Sequence, residues 1–85
     1  MKGLRLENNK FPTKQGEYSK WIREGDKDIK WMFMPPKAGY GLSTLSLHKI
    51  IEHEDNSITV EGSILVKGKG GSWHGYLELG IWRDA

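Results

Sequence analysis

Apolar and polar residues alternate along several stretches of this chain, and a period of two is the mark of a strand with one buried face. In "DIKWMFM" the positions Ile29, Trp31 and Phe33 share one face, while Met32 and Met34 share the other. Pro35-Pro36 then end the run, because proline has no N–H to give to a ladder. "LSTLSLHKII" is again strand-like, with Leu45 and Leu47 in register. "EHEDNS" reads as a hairpin turn. The clearest strand is "SITVEGSILVKG", where Ile58, Val60, Ile64 and Val66 fall on one face and Gly62 interrupts that face as a bulge or close approach. "KGKGG" is the loop of a hairpin. In the last stretch, "SWHGYLELGIWRDA", Trp73, Gly75, Leu77, Leu79 and Ile81 alternate with His74, Tyr76, Glu78, Gly80 and Trp82.

Residues 17–22 are ambiguous. Tyr18, Trp21 and Ile22 have helical spacing, yet Tyr and Trp favour strands. Gly25-Asp26 breaks the chain after them. The sum is an all-β fold of about five strands with little helix, a small antiparallel sheet rolled into a barrel or a compact sandwich.

The last stretch carries large side chains on both faces. One face packs on the strand before it. The other, with His74, Tyr76 and Trp82, needs a second layer or an interface. A second layer is hard to supply in so short a chain, so the expectation is a homodimer or other protein contact through His74, Tyr76 and Trp82, with Met32 and Met34 as neighbours. The competing reading is that these aromatics fill a single-chain core.

Length and composition sharpen this picture. Eighty-five residues make one domain that buries only about two-thirds of its unfolded surface. With no cysteine, disulfide and thiolate-metal staples are excluded, and the lack of cysteine fits a cytosolic setting. The net charge of +2 is unevenly spread: residues 1–41 hold nine Lys/Arg against five Asp/Glu, and residues 42–85 hold four against six. Residues 1–16 are polar, with a short strand around Leu4 and Leu6, and read as a loose N-terminal arm. There is neither an apolar run of membrane-spanning length nor a signal peptide, so the expected location is the cytoplasm of a host cell, with no membrane partner.

Candidate chemistry is thin. The candidate metal donors are His48, His53 and His74, with Glu52, Glu54 and Asp55 close to His53, but His48 and His53 have opposite parity and no zinc motif occurs. Ser72, His74 and Asp84 are close in sequence without the nucleophile elbow of a hydrolase. "KGKGG" lacks the Lys-Ser/Thr and following helix of a phosphate loop. No enzyme, metal or cofactor is expected. The alternative function is single-strand nucleic-acid binding, with His74, Tyr76 and Trp82 as a stacking surface and Lys67, Lys69 and Arg83 along the backbone. The mild charge argues for weak binding.

Three pieces, Ser63-Ile64-Leu65, Trp73-His74-Gly75-Tyr76 and Gly80-Ile81-Trp82, resemble the C-terminal part of small uncharacterised phage and bacterial proteins. The likeness extends over about two-thirds of the chain, with "WMFMPPKAGYGLSTLSL" as its earlier segment. Relatives in that group carry a Cys-Pro-x-Cys knuckle, where this chain has Met34-Pro35-Pro36-Lys37. The resemblance implies a phage-like origin, loss of a metal site at that turn, and no defined activity.

Overall fold

Nine short strands, grouped into three small sheets, account for the regular structure of the residues described by the computed structural model, 1–22, 29–45 and 48–85. They are β1 (Leu4–Arg5), β2 (Glu17–Ile22), β3 (Ile29–Phe33), β4 (Ser43–Thr44), β5 (Ile50–Glu52), β6 (Ile58–Val60), β7 (Ile64–Gly68), β8 (Gly71–Glu78) and β9 (Ile81–Asp84). The sheets run β1-β2-β3-β4, β5-β6 and β7-β8-β9, and every pairing is antiparallel except β1 with β2. The sheets pack as a sandwich around one core and do not close into a barrel. None of the described residues is helical, so none forms a helix able to cross a membrane.

The core follows the alternation. Trp31 and Phe33 come from β3, Ile58 and Val60 from β6, Ile64 and Val66 from β7, and Trp73 and Leu77 from β8. Residues 17–22 form a strand, with Tyr18 paired to Phe33 across the sheet. Pairing with β3 and ring packing on both sides of β2 outweigh the helical spacing. Tyr18 lies in the core, and on the opposite face Phe11 packs on Trp21 with ring centroids 4.5 Å apart. Burial also pushes the Tyr18 hydroxyl above its ordinary value.

The strand count exceeds the expected five because residues 17–22 add a strand and three runs are interrupted. Gly62, at φ 85°, ends β6 and frees β7 to join a different sheet, although Ile58, Val60, Ile64 and Val66 all still face the core. The run from Leu42 to Ile51 contains two strands, β4 and β5; the register expected of Leu47, like the break at Gly25-Asp26, lies outside the described residues. The third interruption is a two-residue turn at Leu79-Gly80, where both residues have positive φ (49° and 73°). That is the twist a tight β-hairpin requires.

The N-terminal segment is not a loose arm. The Met1 ammonium donates to the Trp82 carbonyl at 3.0 Å, and the Trp82 N–H donates to the Met1 carbonyl at 2.7 Å. Lys2 bridges Ile81, and the Gly3 N–H donates to the Gly80 carbonyl. These residues cap the outer edge of β9 and lead into β1. Further on, Ser19 is fully buried and its hydroxyl donates to the Lys10 carbonyl at 2.6 Å. Polar composition misled here because backbone pairing, rather than apolar side chains, fastens the segment.

Glu17 anchors the turn that follows. Its Oε1 accepts N–H bonds from Thr13 (2.9 Å) and Lys14 (2.8 Å), and the side chain is buried. Those two backbone donors, Lys14 first, hold its carboxyl below the ordinary value of 4.5. The stability it supplies is therefore complete at neutral pH and is lost as pH falls from its unfolded value through the lower folded one. Glu17→Gln should cost about 1–2 kcal/mol at pH 7. Urea midpoints measured at pH 7 and again near pH 3 should show the gap between wild type and variant narrowing at the acid end. A gap that is constant with pH would count against this role.

A second carboxylate joins the sheets. Glu52 on β5 receives Arg5 and Lys20, each at 2.9 Å, and both cations lie over the Trp31 ring, at 5.0 and 5.8 Å from its centroid. Hydrogen bonding from Lys20, with Arg5 adding to it, holds the Glu52 carboxyl below its ordinary value.

Candidate functional site

Cross-strand partners in an antiparallel pair share a face, so the register of β7-β8-β9 decides which side chains point away from the core. The outward pairs are Lys67 with Ser72, Leu65 with His74, Tyr76 with Arg83, and Glu78 with Ile81. The inward pairs include Val66 with Trp73 and Leu77 with Trp82.

This corrects the expected surface. Trp82 is 1 % exposed, with its ring against Phe33 and Trp73 and its indole N–H donating to the Gly16 carbonyl at 2.9 Å. The turn at Leu79-Gly80 reverses the chain between Tyr76 and Trp82, so positions of equal parity on either side of it face opposite ways. For the same reason Leu79 and Ile81, expected in the core, are exposed.

His74 and Tyr76 do lie outward together, their rings 6.4 Å apart. Met32 belongs to another sheet, opposite Ser19 and Thr44 on the side away from Trp31 and Phe33, and is half-buried. Met34 follows on the same chain, its N–H bonded to the Glu17 carbonyl. The five expected contact residues therefore do not make one patch. His74 and Tyr76 are joined instead by Leu65, Ile81 and Arg83.

The face is amphipathic and close to neutral. The Arg83 guanidinium lies over the Tyr76 ring, 4.5 Å from its centroid, and also pairs with Glu78. Leu65 on β7 is 56 % exposed and Ile81 on β9 is 50 % exposed, so apolar side chains flank His74 and Tyr76 from both outer strands of the sheet. Beside Tyr76 and Arg83 an open groove of about 510 Å³ runs toward Ile51, Thr59 and Gly62.

The other expected chemistry is dispersed. His48 Nε2 donates to the Ser63 carbonyl at 2.8 Å, and His53 Nε2 pairs with Thr59 Oγ1 at 2.6 Å. Asp55 Oδ1 accepts from the Ser57 hydroxyl and N–H, closing the β5-β6 turn as its sequence suggests. Asp84 accepts the Trp73 indole N–H at 2.9 Å, so it is turned away from His74 and no Ser72-His74-Asp84 relay forms. The described residues hold no cluster of three His, Asp or Glu placed to bind a metal.

The strand edges differ. Two-residue loops close both hairpins, at Lys69-Gly70 and at Leu79-Gly80, which makes the flanking pairs hydrogen-bonded ones. On β7 the backbone groups of Ile64, Val66 and Gly68 are therefore directed to β8, and those of Leu65 and Lys67 point outward. The Ala85 N–H bond to the His74 carbonyl, on the β9 side of β8, fits this phase. So does the Ser63 carbonyl, which meets His48 on the outer side. Among the described residues, no hydrogen bond reaches the outward groups of Leu65 or Lys67, whereas the β9 edge is capped by Met1–Gly3.

Together these features define a small β-sandwich in which, among the described residues, the outer face of β7-β8-β9 is amphipathic and the outward groups of Leu65 and Lys67 on β7 accept and donate no hydrogen bond. No family model, curated protein or solved structure matches the chain.

Proposed function

We propose that this chain is a non-catalytic β domain that acts through protein contacts, as a homodimer, using the outer face of β7-β8-β9. The observation that carries the reading is the exposure of Leu65 and Ile81 around His74 and Tyr76, on a sheet whose other face is the core. Such a face gains by being covered, and tyrosine and arginine are residues that dominate interface energies. A phage-like origin and a place in the host cytoplasm are part of the same proposal.

Single-strand nucleic-acid binding is the weaker reading. One side of the Tyr76 ring is already occupied by Arg83, and that guanidinium is paired with Glu78. A stacking platform needs an open ring and unpaired cations.

Light scattering from micromolar to near-millimolar protein should show a concentration-dependent dimer. Tyr76→Ala should weaken it at least tenfold, equivalent to about 1.4 kcal/mol or more. Because Tyr76 lies outside the core cluster, the variant should stay folded. A monomer at every concentration would overturn the homodimer. Oligonucleotide binding that falls steeply with salt would favour the nucleic-acid reading.

A further inference from the structure

We infer that two copies join through their β7 edges, so that the two three-stranded sheets become one six-stranded sheet across a two-fold axis. The inference rests on the homodimer reading alone and moves its contact to the sheet edge, where Tyr76 on β8 and Ile81 on β9 take no part, so Tyr76→Ala would leave an edge-paired dimer unchanged.

Each β7 edge presents two N–H and two C=O groups, from Leu65 and Lys67, with no partner among the described residues. An exposed row of this kind is a template for another extended backbone. What favours a second copy as that backbone is self-complementarity. In an antiparallel arrangement centred on Val66, Leu65 of one copy stands opposite Lys67 of the other, and the reverse. All four outward N–H groups of the pair then meet the four outward carbonyls. No donor is left over and no extra residue is needed.

Side chains agree with this register. Lys67 faces an aliphatic Leu65 across the axis rather than the like charge of the second Lys67. The exposed Leu65 gains apolar cover. The edge carries neither a proline nor a bulge to deter pairing, while the opposite edge of the same sheet is closed by the chain's own N-terminus. The outer faces of the two copies become continuous, with His74 beside Leu65 on both sides of the axis.

The direct test is nuclear magnetic resonance on a mixture of isotope-labelled and unlabelled protein at a concentration where the dimer forms. Val66 would sit opposite its own counterpart as a non-hydrogen-bonded pair, about 4.5 Å between Cα atoms. A cross-copy contact between the two Val66 α-protons is expected. The N–H groups of Leu65 and Lys67 should exchange more slowly as the concentration rises, while those of Ile64 and Val66 are slow throughout. Leu65→Pro removes one outward N–H per copy without touching the β8 ladder and should weaken the dimer at least tenfold; Leu65→Ala keeps that N–H and should weaken it less. Exchange on the unaltered protein decides the matter if the proline variant does not fold. A dimer without the Val66 contact, and with Leu65 and Lys67 exchanging freely, would overturn edge pairing while leaving protein contact through the outer face standing. A monomer throughout would overturn both.

Discussion

Gly75→Ala is expected to destabilise the protein by about 3 kcal/mol or more, at the upper end of what overpacking a core costs. The residue lies inward on β8, and the Trp73 indole lies across it. A methyl group added there collides with the Arg83 carbonyl oxygen and with Trp73 Cζ2, and comes within 2.8 Å of Trp73 Cη2. The first neighbour is backbone of the paired strand β9. It cannot move without opening the β8-β9 ladder. The second can move only by withdrawing an indole that is edge-on to Trp82 at 5.7 Å and bonded to Asp84. Relief in either direction gives up other contacts. For a domain of this size the thermal midpoint should fall by roughly 12–24 °C. Gly70→Ala is the matched comparison, since nothing lies within 4 Å of its added methyl, and it should be close to neutral. Thermal melts followed by circular dichroism distinguish the two; equal midpoints for both variants would contradict the packing described.

Trp82→Ala should be as damaging, costing about 3–5 kcal/mol, the usual range for removing a buried aromatic. The indole sits where three segments meet. It touches Phe33 of the four-stranded sheet, Trp73 of its own sheet, and the N-terminal segment through Gly3 and Gly16. Trp82→Phe separates two contributions. It keeps most of the ring but removes one of the two donors to the buried Gly16 carbonyl, the other being the Leu4 N–H at 3.2 Å, which should cost about 0.5–1.5 kcal/mol. Urea unfolding of the three proteins should rank wild type, Phe and Ala in that order. A near-neutral Ala variant would mean that Trp82 is not in the core. By the same reasoning, Trp82→Glu would disrupt folding and says nothing about a surface contact; Tyr76→Ala is the variant suited to that question.

The difference between Tyr76 and Trp82 shows where sequence reasoning stops. Both fall on one face if residues 72–85 form a single strand, as strict alternation suggests. The signal that could have separated them was Gly80, which follows Leu79 in a position suited to a tight turn. Leucine is a poor candidate for positive φ, so the pair did not read as a hairpin tip. Tertiary contacts hold the turn instead. The Leu79 N–H donates to Thr59 Oγ1 at 2.9 Å, and the Gly80 N–H donates to the Ile58 carbonyl at 2.9 Å. Leu65 was legible as outward by alternation with Ile64 and Val66, yet its pairing with His74 depends on the loop at Lys69-Gly70.

Local pattern by itself determined the β class, the shared face of Trp31 and Phe33 (though not the exposure of Ile29 at its end), the inward set Ile58, Val60, Ile64, Val66, Trp73 and Leu77, the β5-β6 turn and the Lys69-Gly70 hairpin. All of these rest on interactions among near neighbours in the chain: period-two alternation, and residues that tolerate turns. Only the tertiary structure decided that residues 1–3 cap β9, that Trp82 is core, and that the Leu79-Gly80 turn is held from β6. Each of those depends on backbone hydrogen bonds or ring contacts between residues far apart in sequence. Pairings of that kind leave no period in the chain, because the backbone groups that form them are the same at every residue.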